Sequence, residues 1–295
     1  MYCVSELTAP WGVALPGHPG HAAFIVVLRG GCLLSVDGQQ TRSLAGGELL
    51  LLPHGTAFTL QDQADSDLTA IDQIFGASLA RGQIVRFGGG GALTSLIMGC
   101  FEFDMRIKNP LVESLPDVIY LKAHHLQSEP WLEATLRMLA SEGAQERPGS
   151  DILISRLTDM IFVQIIRAYI TQIKNCTEAP SWLKALADEE IGKALNLIHE
   201  RPDAPWTVAS LANAVGLSRT SFAVKFTALT ATSPMEYLTS WRMQHAANLM
   251  ESGENSMASI AQSVGYTSEV AFAKAFKREI GEAPGAFKRN MRATV

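Results

Sequence analysis

The sequence predicts an α+β chain with a strand-rich front half and an all-α tail, and three observations predict it. Short apolar runs broken by Gly, Pro, Asp and Asn extend from Tyr2 to about Leu121. From residue 130 the apolar spacing becomes helical. The last hundred or so residues hold one pattern twice. At 295 residues the chain exceeds one ordinary small core and suits two domains, each able to bury its own apolar surface.

In the front half, AAFIVVL, CLLSV, ELLLLP, LTSLIMGCF and DVIYL have the length of strands, and Asp37-Gly38 is a hairpin signal between two of them. A compact antiparallel barrel or sandwich is the economical reading. Residues 130–143 and 151–173 follow as helices, the second carrying Ile154, Leu157, Met160, Ile161, Ile165 and Ala168 at helical intervals. That helix is apolar round much of its circumference, which suits burial against a partner helix of a second copy or packing within the chain. Lys174 to Trp182, short, polar and interrupted by Pro180, reads as a linker.

The tail repeats itself. LANAVGLSRTSFAVKF is followed by Pro234 and Tyr237, and IAQSVGYTSEVAFAKAF by Pro284 and Phe287. In both copies Pro lies eight and the aromatic eleven residues beyond the last Phe, and only the spacing just after Gly differs, by one residue. Each position has a job in a helix-turn-helix. Ala212 and Ala261 let a second helix cross closely, Gly216 and Gly265 make the turn, and Ser218 and Ser268 cap the next helix. Phe222 with Phe226, and Phe272 with Phe276, form inward stripes. The opposite faces then carry Thr220, Val224 and Thr227, flanked by Ala223 and with Arg219 near the start, and Val270, Lys274 and Lys277 with Glu269 near the start. Those basic groups stand where phosphates or guanine edges would lie. Residues 234–251 form a linking helix of roughly 27 Å at 1.5 Å per residue, suited to holding two recognition helices about one DNA turn apart. The competing reading of the repeat is a helical bundle that binds protein.

Composition limits the alternatives. With 47% hydrophobic and 18% charged residues the chain is of ordinary globular type. No run approaches eighteen apolar residues and the start has no basic or apolar leader segments, so the expected location is the cytoplasm, away from membranes. Cys3, Cys32, Cys100 and Cys176 are scattered and read as reduced thiols. The net charge of −5 is uneven: residues 181–295 carry 12 Lys and Arg against 11 Asp and Glu, residues 1–180 carry 12 against 18. A near-neutral tail binds DNA only where its basic groups share one face. Nothing in the sequence pairs a nucleophile with a base, builds a phosphate loop or sets two catalytic carboxylates, so no enzyme activity and no cofactor are expected.

Residues 187–293, including WRMQHAANLM and SIAQSVGYTSEVAFAKAFKREIGEAPGAFKR, resemble the DNA-binding domain of the AraC/XylS family. The resemblance implies two subdomains joined by a rigid helix and bound to successive major-groove segments of double-stranded DNA. It carries base contacts to Thr220, Ala223 and Val224 and to Glu269, Val270, Ala273 and Lys274. Arg219, Arg242, Ser268 and Lys277 complete the expected DNA-binding set. Residues 1–125 resemble the cupin-like sensor barrel of one branch of that family, on APWGVALP, FIVVLRGGCLLSVDG, LAGGELLLLPHGTAF and LIMGCFEFD; residues 126–175 resemble its dimerisation helices, with a linker at 176–186. Homodimerisation, a small-molecule or stress signal, and RNA polymerase for an activator are the implied partners.

Gly47, Pro53 and Gly55 fit the second cupin motif, but Phe58 stands where a metal-binding His is expected. Relatives that place metal or redox ligands round the cavity align those positions with Cys3, Ile25, Phe58 and Met98, of which one can ligate a transition metal. The expected site is therefore a metal-free ligand pocket. A redox or metal sensor built on the scattered Cys and His residues, and a cupin enzyme, are the competing classes. His18, His21 and His54 read as solvated loop residues, and Cys100 as a small core residue.

Overall fold

The computed structural model describes residues 2–75, 84–103, 110–122, 130–143, 147–173, 181–251 and 256–292. The chain forms two compact units, one of residues 1–105 and 115–177 and one of 106–114 and 178–295.

The first unit contains β1 (Tyr2–Thr8), β2 (Gly12–Leu15), β3 (His21–Arg29), β4 (Gly31–Val36), β5 (Arg42–Ala45), β6 (Leu49–Leu52), β7 (Phe58–Gln61), β8 (Thr69–Ala70), α1 (Ile71–Phe75), β9 (Ile84–Gly88), β10 (Leu93–Glu102) and β11 (Ile119–Leu121). These strands make two sheets, in the orders β11-β6-β3-β10-β1-β9 and β5-β4-β7-β2-β8. The expected barrel is thus corrected: among the described residues the sheets face each other without closing into one hydrogen-bonded cylinder. Gly30 explains the break between them. Its φ of +79° lets the chain leave β3 in one sheet and enter β4 in the other, and a Cβ there would meet the Leu93 carbonyl oxygen at 2.7 Å. Between the sheets lies a core that includes Leu7, Trp11, Val13, Leu34, Leu60 and Leu96.

Two further helices, α3 (Pro130–Gly143) and α4 (Ser150–Ile173), complete this unit. On the other face of the six-stranded sheet Phe24 meets Phe101 (ring centroids 5.1 Å), and Phe101 meets Phe162 of α4 at 5.0 Å. Burial on both faces is why Leu49–Leu52 and the centre of β3 read as unbroken apolar runs rather than alternating ones. The inward side of α4 buries Leu157, Ile161 and Ile165, whereas Ile152, Leu153, Met160 and Val163 remain exposed.

The second unit holds α2 (Pro110–Ser114), α5 (Ser181–Ala187), α6 (Glu189–Glu200), α7 (Val208–Ala214), α8 (Arg219–Thr230), α9 (Pro234–Glu251), α10 (Met257–Ser263), α11 (Glu269–Ile280) and α12 (Pro284–Arg292). Part of the expected linker, residues 181–186, is helical because Leu183 and Ala185 find a core. Its first residues, like Cys176, lie outside the described ones. Two apolar clusters share α9: Tyr237 and Leu238 belong to the first with α6, α7 and α8, and Met243, Ala246, Ala247 and Met250 to the second with α10, α11 and α12.

Candidate nucleic-acid interface

Thr207 and Ser256 start α7 and α10 by accepting hydrogen bonds from the amides of Ser210 and Ser259. Both helices then end on the same device. The Leu217 amide donates to the Ala212 carbonyl and the Tyr266 amide to the Ala261 carbonyl, each at 2.9 Å, with Gly216 (φ +76°) and Gly265 (φ +81°) turning the chain in between. Ser218 and Ser268 next cap α8 and α11 through the amides of Ser221 and Ala271. The one-residue difference between copies lies in the turn, since both helices begin directly after the capping serine.

The inward stripes recur in detail. Phe222 and Phe226 sit 5.5 Å apart, Phe272 and Phe276 5.7 Å apart, and all four are buried. Tyr237 closes the first cluster against Phe226 at 5.7 Å, and Phe287 closes the second against Phe276 at 5.5 Å, both edge to face. Truncating one such ring costs about 3–5 kcal/mol, so the apolar stripe fixes which side of α8 and α11 faces out. The outer sides carry Arg219, Thr220, Val224 and Thr227 on α8, and Glu269, Val270, Lys274 and Lys277 on α11, all exposed, with Ala223 and Ala273 half-buried between them. Val224 is 65% exposed and Val270 67%. Among the described residues Arg219, Lys274 and Lys277 have no ion-pair partner.

In the first unit a cavity of about 180 Å³ opens beside β1, β3, β7 and β10. Cys3, Ile25, Phe58 and Met98 all line it: Cys3 pairs with Met98 and Met98 with Ile25 across neighbouring strands of one sheet, and Phe58 comes from β7 of the other. Burial pushes the Cys3 thiol up to about 11, so it is protonated at neutral pH. No three His, Cys, Asp or Glu side chains cluster to hold a metal among the described residues.

The helix-turn-helix portion and the sheet-rich portion both match known families. Residues 211–290 match a family model described as a helix-turn-helix domain, and residues 1–171 one described as Cupin. A putative AraC-like transcription regulator of Streptomyces antibioticus is 34% identical over 95% of this chain and 90% of its own. The chain belongs to the AraC family of transcription regulators. The HTH-type transcriptional regulator AlkR of Acinetobacter baylyi is 30% identical over 90% of this chain and 86% of its own. The DNA-binding domain of AdpA, a global transcriptional factor solved with a target DNA, is 27% identical, covering 36% of this chain and 96% of that one at a TM-score of 0.35.

This AraC-family protein is therefore a DNA-binding transcription regulator with an N-terminal cupin domain, and not an enzyme. Lys225 and Arg242, among the basic side chains of its tail, are occupied within the fold. Lys225 places Nζ 2.7 Å from both Asp188 and Glu190, clamping α8 to the start of α6. Those carboxylates raise the lysine above its ordinary value; in return, against the upward pull of burial, the Lys225 hydrogen bond lowers Asp188. Arg242, expected at the DNA, is half-buried in α9 and donates from Nε to the Pro202 carbonyl (2.7 Å) and from Nη2 to the Ala204 carbonyl (2.9 Å). Sequence reasoning also passed over residues at the cavity: His18, His21 and Cys100 border it, whereas His54 donates from Nε2 to the Leu115 carbonyl, 2.9 Å away. A loop histidine facing a void and one facing water have the same local sequence, so no signal marked them.

Proposed function

We propose that this regulator reads double-stranded DNA with two helix-turn-helix units, α7-α8 and α10-α11, whose second helices enter successive major grooves. The observation that carries the reading is the pair of equivalent outer faces. Superposing the copies on their Phe pairs aligns Thr220 with Val270, Ala223 with Ala273, Val224 with Lys274 and Thr227 with Lys277. A valine left about two-thirds exposed on each of two helices whose apolar needs are met on the other side fits contact with a thymine methyl. Lys274 and Lys277 fit guanine edges or phosphates, Arg219 and Ser268 fit phosphates near the helix starts, and Glu269 fits a cytosine amine.

In this division of labour residues 187–293 bind DNA, 1–125 sense a signal and 126–175 join two copies in the cytoplasm, with RNA polymerase as the further partner of an activator. The exposed apolar side of α4 supports the homodimer. The cavity, lined largely by apolar groups, supports a small, mostly apolar effector taken without a metal; a void of roughly 150 Å³ accommodates benzene. The direct test is a mobility-shift titration of the purified chain on genomic promoter fragments between 50 and 200 mM salt. The reading requires a subset bound tightly, with affinity falling steeply as salt rises. Absence of salt-sensitive binding to any fragment contradicts it.

A further inference from the structure

Arg242 lies where the two apolar clusters of the DNA-binding unit meet. Trp241, its neighbour on α9, packs on the first cluster and Met243 on the second. Its guanidinium holds the Pro202 and Ala204 carbonyls of the loop following α6, which belongs to the first half. The same guanidinium lies 5.8 Å from the ring centroid of Tyr266, in the turn between α10 and α11, which belongs to the second half. Gly265 shows how tight this junction is. A Cβ there would stand 2.8 Å from Arg242 Nη2 and 2.8 Å from the Asp203 carbonyl oxygen. Gly216, its counterpart in the first copy, has the same backbone sign but nothing within 4 Å of a Cβ. One glycine serves a turn; the other serves a turn and a seat for an arginine.

We infer that Arg242 is a positioning residue that locks the two helix-turn-helix units at one relative angle and so sets which spacing between the two DNA half-sites the regulator accepts. The inference rests on the two-unit reading of DNA. A planar fork with fixed donor directions can hold two carbonyls of one loop while its face lies on a ring of the opposite half, which a lysine ammonium cannot do. Without the clasp α9 still joins the halves, but among the described residues no hydrogen bond or ion pair ties residues 201–207 to residues 264–268 across the junction. One base pair added between half-sites rotates the second by roughly 35° and moves it about 3.4 Å, so a rigid clasp makes spacing selective.

The test uses the full chain and duplexes selected by the wild type from a random-sequence pool, then rebuilt with one base pair inserted or removed between the two parts, and with one part scrambled. The wild type should lose at least tenfold in affinity on either change of spacing. Arg242→Gln should bind the selected duplex about tenfold more weakly, with the penalty for altered spacing reduced to threefold or less and binding to the single-part duplex unchanged. Gly265→Ala, which keeps Arg242 but crowds its seat, and Arg242→Lys should both flatten the spacing dependence, and they decide the question if Arg242→Gln does not fold by circular dichroism. Arg242→Gln weakening all duplexes by one factor, with a salt slope lower by about 1, would make Arg242 a phosphate contact and overturn the inference. Unchanged spacing penalties in the folded variants overturn it equally. A wild type that selects no two-part site fails the two-unit reading itself, and the inference with it.

Discussion

Lys274 occupies on α11 the place that Val224 occupies on α8, and the two residues should read different bases. Lys274→Ala should weaken binding to the selected site by about 1–3 kcal/mol and relax preference at one base pair, measured by titration against single-substitution duplexes. Equal loss on specific and random DNA would reassign Lys274 to a phosphate. A second residue, His199, makes the DNA-binding unit sensitive to acid. Its ring stacks on Trp241 at 3.9 Å and its Nε2 lies 2.7 Å from the Tyr237 hydroxyl, and burial lowers it to about 4 from the ordinary 6.5. Because the unfolded chain takes up the proton first, the stability is complete above pH 6.5. It declines by about 1.4 kcal/mol per pH unit as pH falls from 6.5 towards 4. His199→Gln should remove that slope from urea unfolding midpoints measured across this range; an unaltered slope would place the titrating group elsewhere. The outward-facing residues of α8 and α11 were legible in the sequence because they follow from helical phase once the Phe stripes are known. Arg242 was not, because its acceptors are main-chain carbonyls about forty residues away, and a carbonyl leaves no mark in a sequence.

At the scale of elements, the two copies differ instructively where α8 and α11 end. Gly281 terminates α11 at φ +96°, and Ala231, five residues after Phe226 as Gly281 is after Phe276, terminates α8 at φ +59°. Each amide donates to the carbonyl four residues back, so the caps are equivalent in hydrogen bonding and differ in backbone strain. Ala231→Gly should therefore stabilise the protein by about 1 kcal/mol, and Gly281→Ala should destabilise it by a similar amount or more, in denaturant titrations. Opposite signs would show that the gain in unfolded-chain entropy outweighs the strain. The helix-turn-helix pattern was readable because caps, turns and stripes all act within a few residues. The sheets were readable only as strands. Which strand neighbours which depends on distant partners, such as the parallel pairing of β1 with β9, and so of the two readings left open, barrel or sandwich, the strands form two facing sheets rather than the cupin-like barrel that the resemblance implied.

For the whole molecule, the two apolar clusters on α9 give residues 178–295 a core of their own, so this segment should fold and bind DNA without the cupin domain. A fragment that is folded by circular dichroism yet lacks the salt-sensitive DNA binding of the full chain would show that the first unit supplies part of the interface. Joined copies should add affinity for paired sites without altering how each copy reads its own. The central claim, that one chain reads DNA through two units held by α9, is tested most directly by hydroxyl-radical footprinting of the full chain on its selected duplex. Two protected patches per copy, centred about ten base pairs apart on one face of the helix, are the predicted result, with Lys274→Ala perturbing only the patch read by α11. A single patch per copy, or protection unchanged when residues of α8 and of α11 are altered in turn, would contradict it.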